Sequence, residues 1–176
     1  GILRGEFGVT FSGEPVLVVI SRVGMVSLGL MGIALFLSIV GGVSLGRLSV
    51  RQDKPGIASW LTILSTIGLA SPSFYIAVLL IFLFLSFYLY GSSSIPMLPF
   101  IGYGWDTHLV LPVLALSIQP MVKIARMTGG LLSEEMEKPY VVASRGFGFK
   151  FQRIKRKFAF RSILSSVILI IAASTR

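Results

Sequence analysis

The chain contains no cysteine and one histidine, His108. Disulfides, thiolate metal sites and cysteine nucleophiles are excluded, and a histidine-built metal cluster or triad lacks its residues. Charge is scarce too. Asp, Glu, Lys and Arg make up only 13% of the residues, roughly half the share of an ordinary soluble domain. The acidic sign is the rarer one, 7 residues against 16 basic, which leaves a net charge of +9. What fills the space is apolar: 54% of the 176 residues are hydrophobic and the mean hydropathy is +0.87. This balance excludes a soluble globular protein and a disordered one. On such a background the positive charge points to the cytoplasmic loops of a membrane protein, and no nucleic-acid partner is expected. By length the chain is a single domain, residues 1–176.

The scarce charges are also unevenly placed. Residues 23–46 carry none, and neither do residues 55–105. About 20 apolar residues suffice to cross a hydrocarbon core of roughly 30 Å. Residues 1–22 read as an extracytoplasmic lead-in that ends in an interfacial segment, 15–22. Residues 23–46 read as the first span. Their glycines allow close helix packing, and Gly42 and Gly46 form a small-xxx-small pair. Residues 57–90 form the next span. As one straight helix they would reach roughly 50 Å, longer than the core. Ser71-Pro72-Ser73 marks the expected kink. The aromatics Phe82, Phe84, Phe87, Tyr88 and Tyr90 are expected to meet lipid and its outer interface. Neither an initiating Met nor a signal-peptide pattern stands at Gly1, so the chain is expected to begin inside a longer protein.

Loop charge orients the spans. Residues 47–56 hold Arg47, Arg51 and Lys54, and residues 123–161 hold ten more basic residues from Lys123 to Arg161. Residues 91–108 hold none. The positive-inside rule puts both basic loops, 47–56 and 126–161, in the cytoplasm, so an even number of crossings separates them. Residues 107–125 are therefore read as a returning span, despite Pro112 and Pro120. Residues 162–175 read as a fourth span cut short. The expected fold is all-α: a polytopic transmembrane helix bundle of about four spans with the last truncated, plus a cytoplasmic coupling loop, in the cell inner membrane.

The long basic loop is the most informative stretch. Phe147, Phe151, Ile154 and Phe158 recur at the spacing of one helix face. Lys150, Arg153 and Lys157 lie on another face, and Gly146 and Gly148 turn the chain just before it. Two readings stand for this helix: contact with anionic lipid headgroups, or docking of its aromatic face to a cytoplasmic partner. Glu134, Glu135 and Glu137 read as a solvated face. His108, beside Asp106, reads as a solvated interface histidine. Gln119-Pro120, inside a span, either lines a path or only kinks the helix.

Four local matches, in common order and spacing over nearly the whole chain, resemble the membrane-spanning permease subunit of peptide/nickel-type ABC importers. Gly5-Glu6-Phe7-Gly8 followed by Pro15-Val16 is similar to the family's G-[DE]-[LF]-G…P-V. Gly68-Leu69-Ala70-Ser71-Pro72-Ser73-Phe74-Tyr75 resembles G-x-x-x-P-S-F-[WY]. Leu111-Pro112-Val113-Leu114-Ala115-Leu116 leading to Ala125-Arg126-Met127-Thr128 resembles L-P-[AV]-L-x-L…A-R-x-[TS]. Residues 140–149 resemble the EAA loop, with Val142 where that pattern places an acid and Phe147 where a basic residue is usual. Ser166 stands near an expected proline.

The resemblance implies a passive translocation subunit for peptides or similar small solutes. Its implied partners are cytoplasmic ATPase subunits, a second permease subunit and an extracytoplasmic solute-binding protein, with membrane lipids around it. No catalysis and no cofactor are implied, and no P-loop pattern is present. Tyr140, Val141, Ala143, Ser144, Arg145, Gly148 and Phe149 would form the ATPase-coupling loop. Ser71, Pro72, Ser73, Gln119 and Pro120 are candidates for the translocation path. The family would also place one span before Gly1 and continue the chain beyond Arg176. A secondary transporter or channel fragment, or a membrane anchor subunit, are the rival readings. The absence of Asp, Glu, Lys and Arg from 55–105 argues against ion-coupled transport.

Overall fold

The structure, a computed structural model, describes residues 7–51, 56–90 and 106–174. Among these the regular structure is helical: α1 (Val16–Ser49), α2 (Ser59–Ala70), α3 (Ser73–Tyr90), α4 (Val110–Met136), α5 (Pro139–Gly146), α6 (Phe151–Arg153) and α7 (Phe160–Ser174). A 3-10 turn, Thr107–Leu109, leads into α4, and a π-helical segment, Ile154–Ala159, joins α6 to α7. Among the described helices, Val16–Ser49 and Thr107–Met136 are long and apolar enough to cross a membrane. A third crossing is available if α2 and α3, bent by 107°, act as one broken span. The 15 residues of α7 fall short of that length within the described part of the chain.

Helix α1 begins earlier than the charge map suggests. Residues 16–22, expected at the interface, are its first two turns. Pro15 stands at the N-cap, where its missing N–H costs nothing. Gly13, at φ +81°, closes a turn just before it. Arg22 does not interrupt the helix because its side chain projects outward and pairs with Glu14 at 3.8 Å.

Helix α4 is the centre of the bundle and packs against α1, α2, α3 and α7. The α1 face turned toward it is a ladder of small residues at four-residue spacing: Ala34, Ser38, Gly42 and Gly46, all buried. Each is one helical turn from the next, so the four share one stripe. A Cβ on Gly42 would lie 2.7 Å from the Met121 carbonyl oxygen, and one on Gly46 would lie 2.6 Å from that of Ala125. The backbones meet there with no room for a side chain. Ser38 Oγ adds a hydrogen bond to the Ser117 carbonyl oxygen at 2.9 Å. Packing and interhelical hydrogen bonds of this kind hold helices together where lipid supplies no hydrophobic drive. The Gly42/Gly46 pair is thus half of a longer seam.

At the basic end of the bundle a second core forms from Val50, Leu132, Met136, Val141, Phe151, Ile154, Ala159, Ile163 and Val167. It joins the end of α1 to α4, α5, the π segment and α7. Helix α4 runs on to Met136, so the first part of the expected loop 126–161 is helix rather than loop. An antiparallel bridge between Val50 and Ile57 and a 3.0 Å bond from Ala58 N–H to the Ser49 carbonyl close the connection from α1 to α2. Asp53, Lys54 and Pro55, residues 91–105, and Gly5 and Glu6 of the Gly5-Glu6-Phe7-Gly8 match lie outside the described residues.

Candidate functional site

The chain breaks at Ser71-Pro72. Pro72 has no N–H to offer the Gly68 carbonyl, and its ring opposes a straight helix there. Ser71 takes extended dihedrals at the end of α2, and a new helix starts at Ser73. On the α2 side Gly68 sits against Val122 of α4; a Cβ would stand 3.2 Å from a Val122 methyl. Gln119, on the same α4 surface, donates from Nε2 to the Ser71 carbonyl oxygen at 2.6 Å. The fold therefore brings Ser71 and Gln119, 48 positions apart in sequence, into one polar contact between α4 and the broken helix. Ser73 and Pro72 are exposed beside it, while Pro120 lies inside α4 without ending it.

The second candidate region is the hairpin between α4 and α7. Helix α5 opens with Pro139 in its first turn, which suits proline. Val141 is fully buried in the basic-end core, whereas Val142 is 65% exposed and Phe147 82% exposed. Tyr140 donates its hydroxyl to Glu135 Oε1 at 2.9 Å, and Lys138 Nζ lies 2.6 Å from the other carboxylate oxygen. Burial first, and then the Glu135 carboxylate, push the Tyr140 hydroxyl above its usual pKa. Helix α5 is thus fixed to the basic-end core through Val141 and to the end of α4 through the Tyr140–Glu135 bond. Gly148 follows at φ +80°, a left-handed conformation that only glycine enters freely. A shallow cleft of about 560 Å³ opens beside this turn, lined by Arg145, Gly148, Phe149, Lys150, Phe151 and Gln152.

The aromatic stripe does not form one outward face. Phe151 and Ile154 point into the core, while Phe147 stands ahead of the Gly148 turn and Phe158 is exposed. The π segment is the reason. Its wider i→i+5 register carries Ile154, Lys155 and Ala159 to the interior together. Lys155, one of the basic residues of the long loop, is only 7% exposed. Its Nζ donates to the carbonyl oxygens of Arg47 at 3.0 Å and Val50 at 3.1 Å. Burial, followed by the neighbouring Arg47 charge, lowers its pKa. Glu135 is likewise buried, not part of a solvated acidic face. Asp106 accepts hydrogen bonds from both the backbone and the ring of His108, and the ring contact leads in lowering its pKa.

Residues 39–175 match the family model described as the binding-protein-dependent transport system inner membrane component. The chain belongs to this family. It is 28% identical over 97% of its length to the dipeptide transport system permease protein DppB of Lactococcus lactis, covering 54% of that protein. It is 32% identical over 80% of its length to a probable peptide ABC transporter permease of Sinorhizobium fredii, covering 45% of it. It is 27% identical over 95% of its length to the oligopeptide transport system permease protein OppB of Escherichia coli, again covering 54%. The chain spans about half the length of the curated relatives it matches.

Within this permease chain the expected site residues form two groups that do not touch. Tyr140, Val141, Ala143, Ser144 and Arg145 lie on α5. Gly148 and Phe149 follow in the turn, where Phe149 meets Phe158 edge-on at 6.1 Å between ring centroids. Ser71–Ser73 and Gln119–Pro120 gather at the break between α2 and α3. Sequence reasoning missed Lys155 and Glu135, each hidden in a run of like charges. It also missed Ser38 and Ser117, although the four-residue spacing that continues from Gly46 back to Ala34 carried the signal for the first.

Proposed function

We propose that this chain is part of the translocation subunit of an ABC-type importer for peptides, driven by separate cytoplasmic ATPase subunits. A second permease subunit would complete the path, and an extracytoplasmic solute-binding protein would deliver the solute. The basic end of the bundle faces the cytoplasm and Asp106–His108 faces outward, in keeping with the positive-inside rule. Loops 47–56 and 126–161 are then cytoplasmic. Relatives named as dipeptide and oligopeptide permeases favour a peptide-like solute.

The observation that carries the reading is the mounting of α5. A short helix and its C-cap project Val142 and Phe147 outward, while Val141 anchors the helix in the basic-end core and Tyr140 ties it to α4. An exposed apolar tip on a fixed base suits a partner that pushes. Force applied at α5 reaches α4 through the Tyr140–Glu135 bond and the shared core through Val141. Helix α4 passes it to the break at Ser71 through Gln119 and to α1 through the small-residue seam. ATP hydrolysis itself belongs to the partner, and the chain supplies the moving path.

The test uses the full-length protein co-expressed with its ATPase subunits. A photo-crosslinking residue at Phe147 is expected to capture the ATPase, and one at Thr107 is expected not to. Capture from Thr107 alone would reverse the orientation and end the reading of α5 as the docking element.

A further inference from the structure

The end of α1 presents carbonyl groups that lack partners within the helix. Gly46 O accepts from Ser49 Oγ at 2.7 Å, and Ser49 O accepts from Ala58 N–H at 3.0 Å. Arg47 O and Val50 O accept from Lys155 Nζ. The cation that closes α1 therefore comes from a segment more than a hundred residues further on. A positive group at a helix C-terminus is favoured by the helix dipole, and burial strengthens the contact. Lys155 reaches it because the π segment widens the turn, and its ammonium also lies 5.4 Å from the Phe151 ring centroid. Just past the π segment, the Arg47 guanidinium lies over the Phe160 ring at 4.4 Å. Two contacts, one from within the π segment and one just past it, thus clamp the start of α7 to the end of α1.

We propose that Lys155 is a positioning residue that locks the segment after the coupling helix to the cytoplasmic end of α1, so that α1 and α7 move as one body when α5 is displaced. The displacement of α5 by an ATPase rests on the function proposed above; the lock itself does not. Without Lys155 the two carbonyls lose their donor, and the Arg47–Phe160 contact and the apolar packing of Val50 are left to hold α1 to α7 there. A push on α5 would then reach α4 but slip at the π segment, and hydrolysis would continue with less transport.

The experiment uses the full-length protein with its ATPase subunits, reconstituted in lipid vesicles from the folded fraction. Spin labels at exposed Leu48 and Lys157 report the distance between α1 and the coupling segment. Lys155→Met removes the donors at similar length, and Lys155→Arg restores them. Lys155→Met is expected to keep its ATPase and hydrolyse ATP, to broaden the label distance, and to lose roughly tenfold in peptide uptake per ATP. Lys155→Arg is expected to recover both. Unchanged uptake per ATP and an unchanged distance in Lys155→Met would overturn the proposal. So would loss of uptake with no change in distance, or failure of Lys155→Arg to recover either. If the unsubstituted protein binds no ATPase, the transport reading fails. The nucleotide-free label distance then still decides whether Lys155 holds the two helices together.

Discussion

Gln119 and Ser71 meet through a 2.6 Å hydrogen bond from a side-chain amide to a backbone carbonyl oxygen. The contact ties the central helix to the point where its neighbour breaks. In an apolar surround, a carbonyl released at a helix break needs a donor, and Gln119 supplies one. Gln119→Leu removes it at similar volume. The variant is expected to lose about 1 kcal/mol of stability, read as a lower melting temperature in detergent. Peptide uptake by the full-length protein is expected to fall further than membrane insertion. An unchanged melting temperature together with full uptake would show that the bond does no structural or functional work.

The α1–α4 seam makes a sharper contrast. A Cβ on Gly46 would also lie 2.8 Å from the Thr128 Cβ, whereas one on Gly24 or Gly32 meets nothing within 4 Å. Gly46→Leu is expected to destabilise the bundle by at least ~1–3 kcal/mol, the usual range for overpacking. Gly24→Leu and Gly32→Leu are expected to be tolerated. Thermal unfolding of the three variants, side by side, checks the seam. Equal losses in all three would mean that α1 does not lie on α4 in this register.

Much of this arrangement was legible before any coordinates, for reasons that are local. Pro72 lacks a donor wherever it stands, so a break near Ser71 followed from its identity. Gly148 likewise marked a turn that side chains oppose. The size of the 107° bend was not legible, because it depends on Gly68 meeting Val122 and on Gln119 reaching Ser71 from a distant helix. The inward position of Lys155 was not legible for the same reason. Its neighbours Lys150, Arg153, Arg156 and Lys157 are exposed, and an ordinary α register gives no cause to separate it from them. Only the π segment turns it inward. The uncharged run 23–46 did not mark the start of α1, because Arg22 projects outward from a helix that begins at Val16.

The turn after α5 yields its own comparison. Gly146 and Gly148 both face open space, but only Gly148 has a positive φ, +80°. Gly148→Ala therefore carries a backbone cost of about 1–2 kcal/mol. Gly146→Ala, inside the helix, is expected to be neutral or slightly stabilising. Melting temperatures of the two variants separate strain from space. If both alanines cost the same, crowding rather than φ governs the turn.

The anchoring of α5 is expected to fade in alkali. The Tyr140 hydroxyl titrates above its usual value because burial and the Glu135 carboxylate both oppose the phenolate. The folded state therefore holds this proton more tightly than the unfolded state. The stability it contributes is fully present below the unfolded tyrosine pKa of about 10, and it is lost as pH rises through the raised folded value. Tyr140→Phe removes the titrating group and the bond together. Tyr140 is 37% exposed, so the neutral-pH loss is expected to be only ~0.5–1 kcal/mol. Glu135 keeps Lys138 as a partner, which limits the damage. The informative reading is the shape of the curve. Melting temperature plotted against pH should fall less steeply above pH ~10 in Tyr140→Phe than in the unsubstituted protein, with the two curves converging in strong alkali. Parallel curves across that range would mean that the Tyr140–Glu135 bond does not hold α5 to α4.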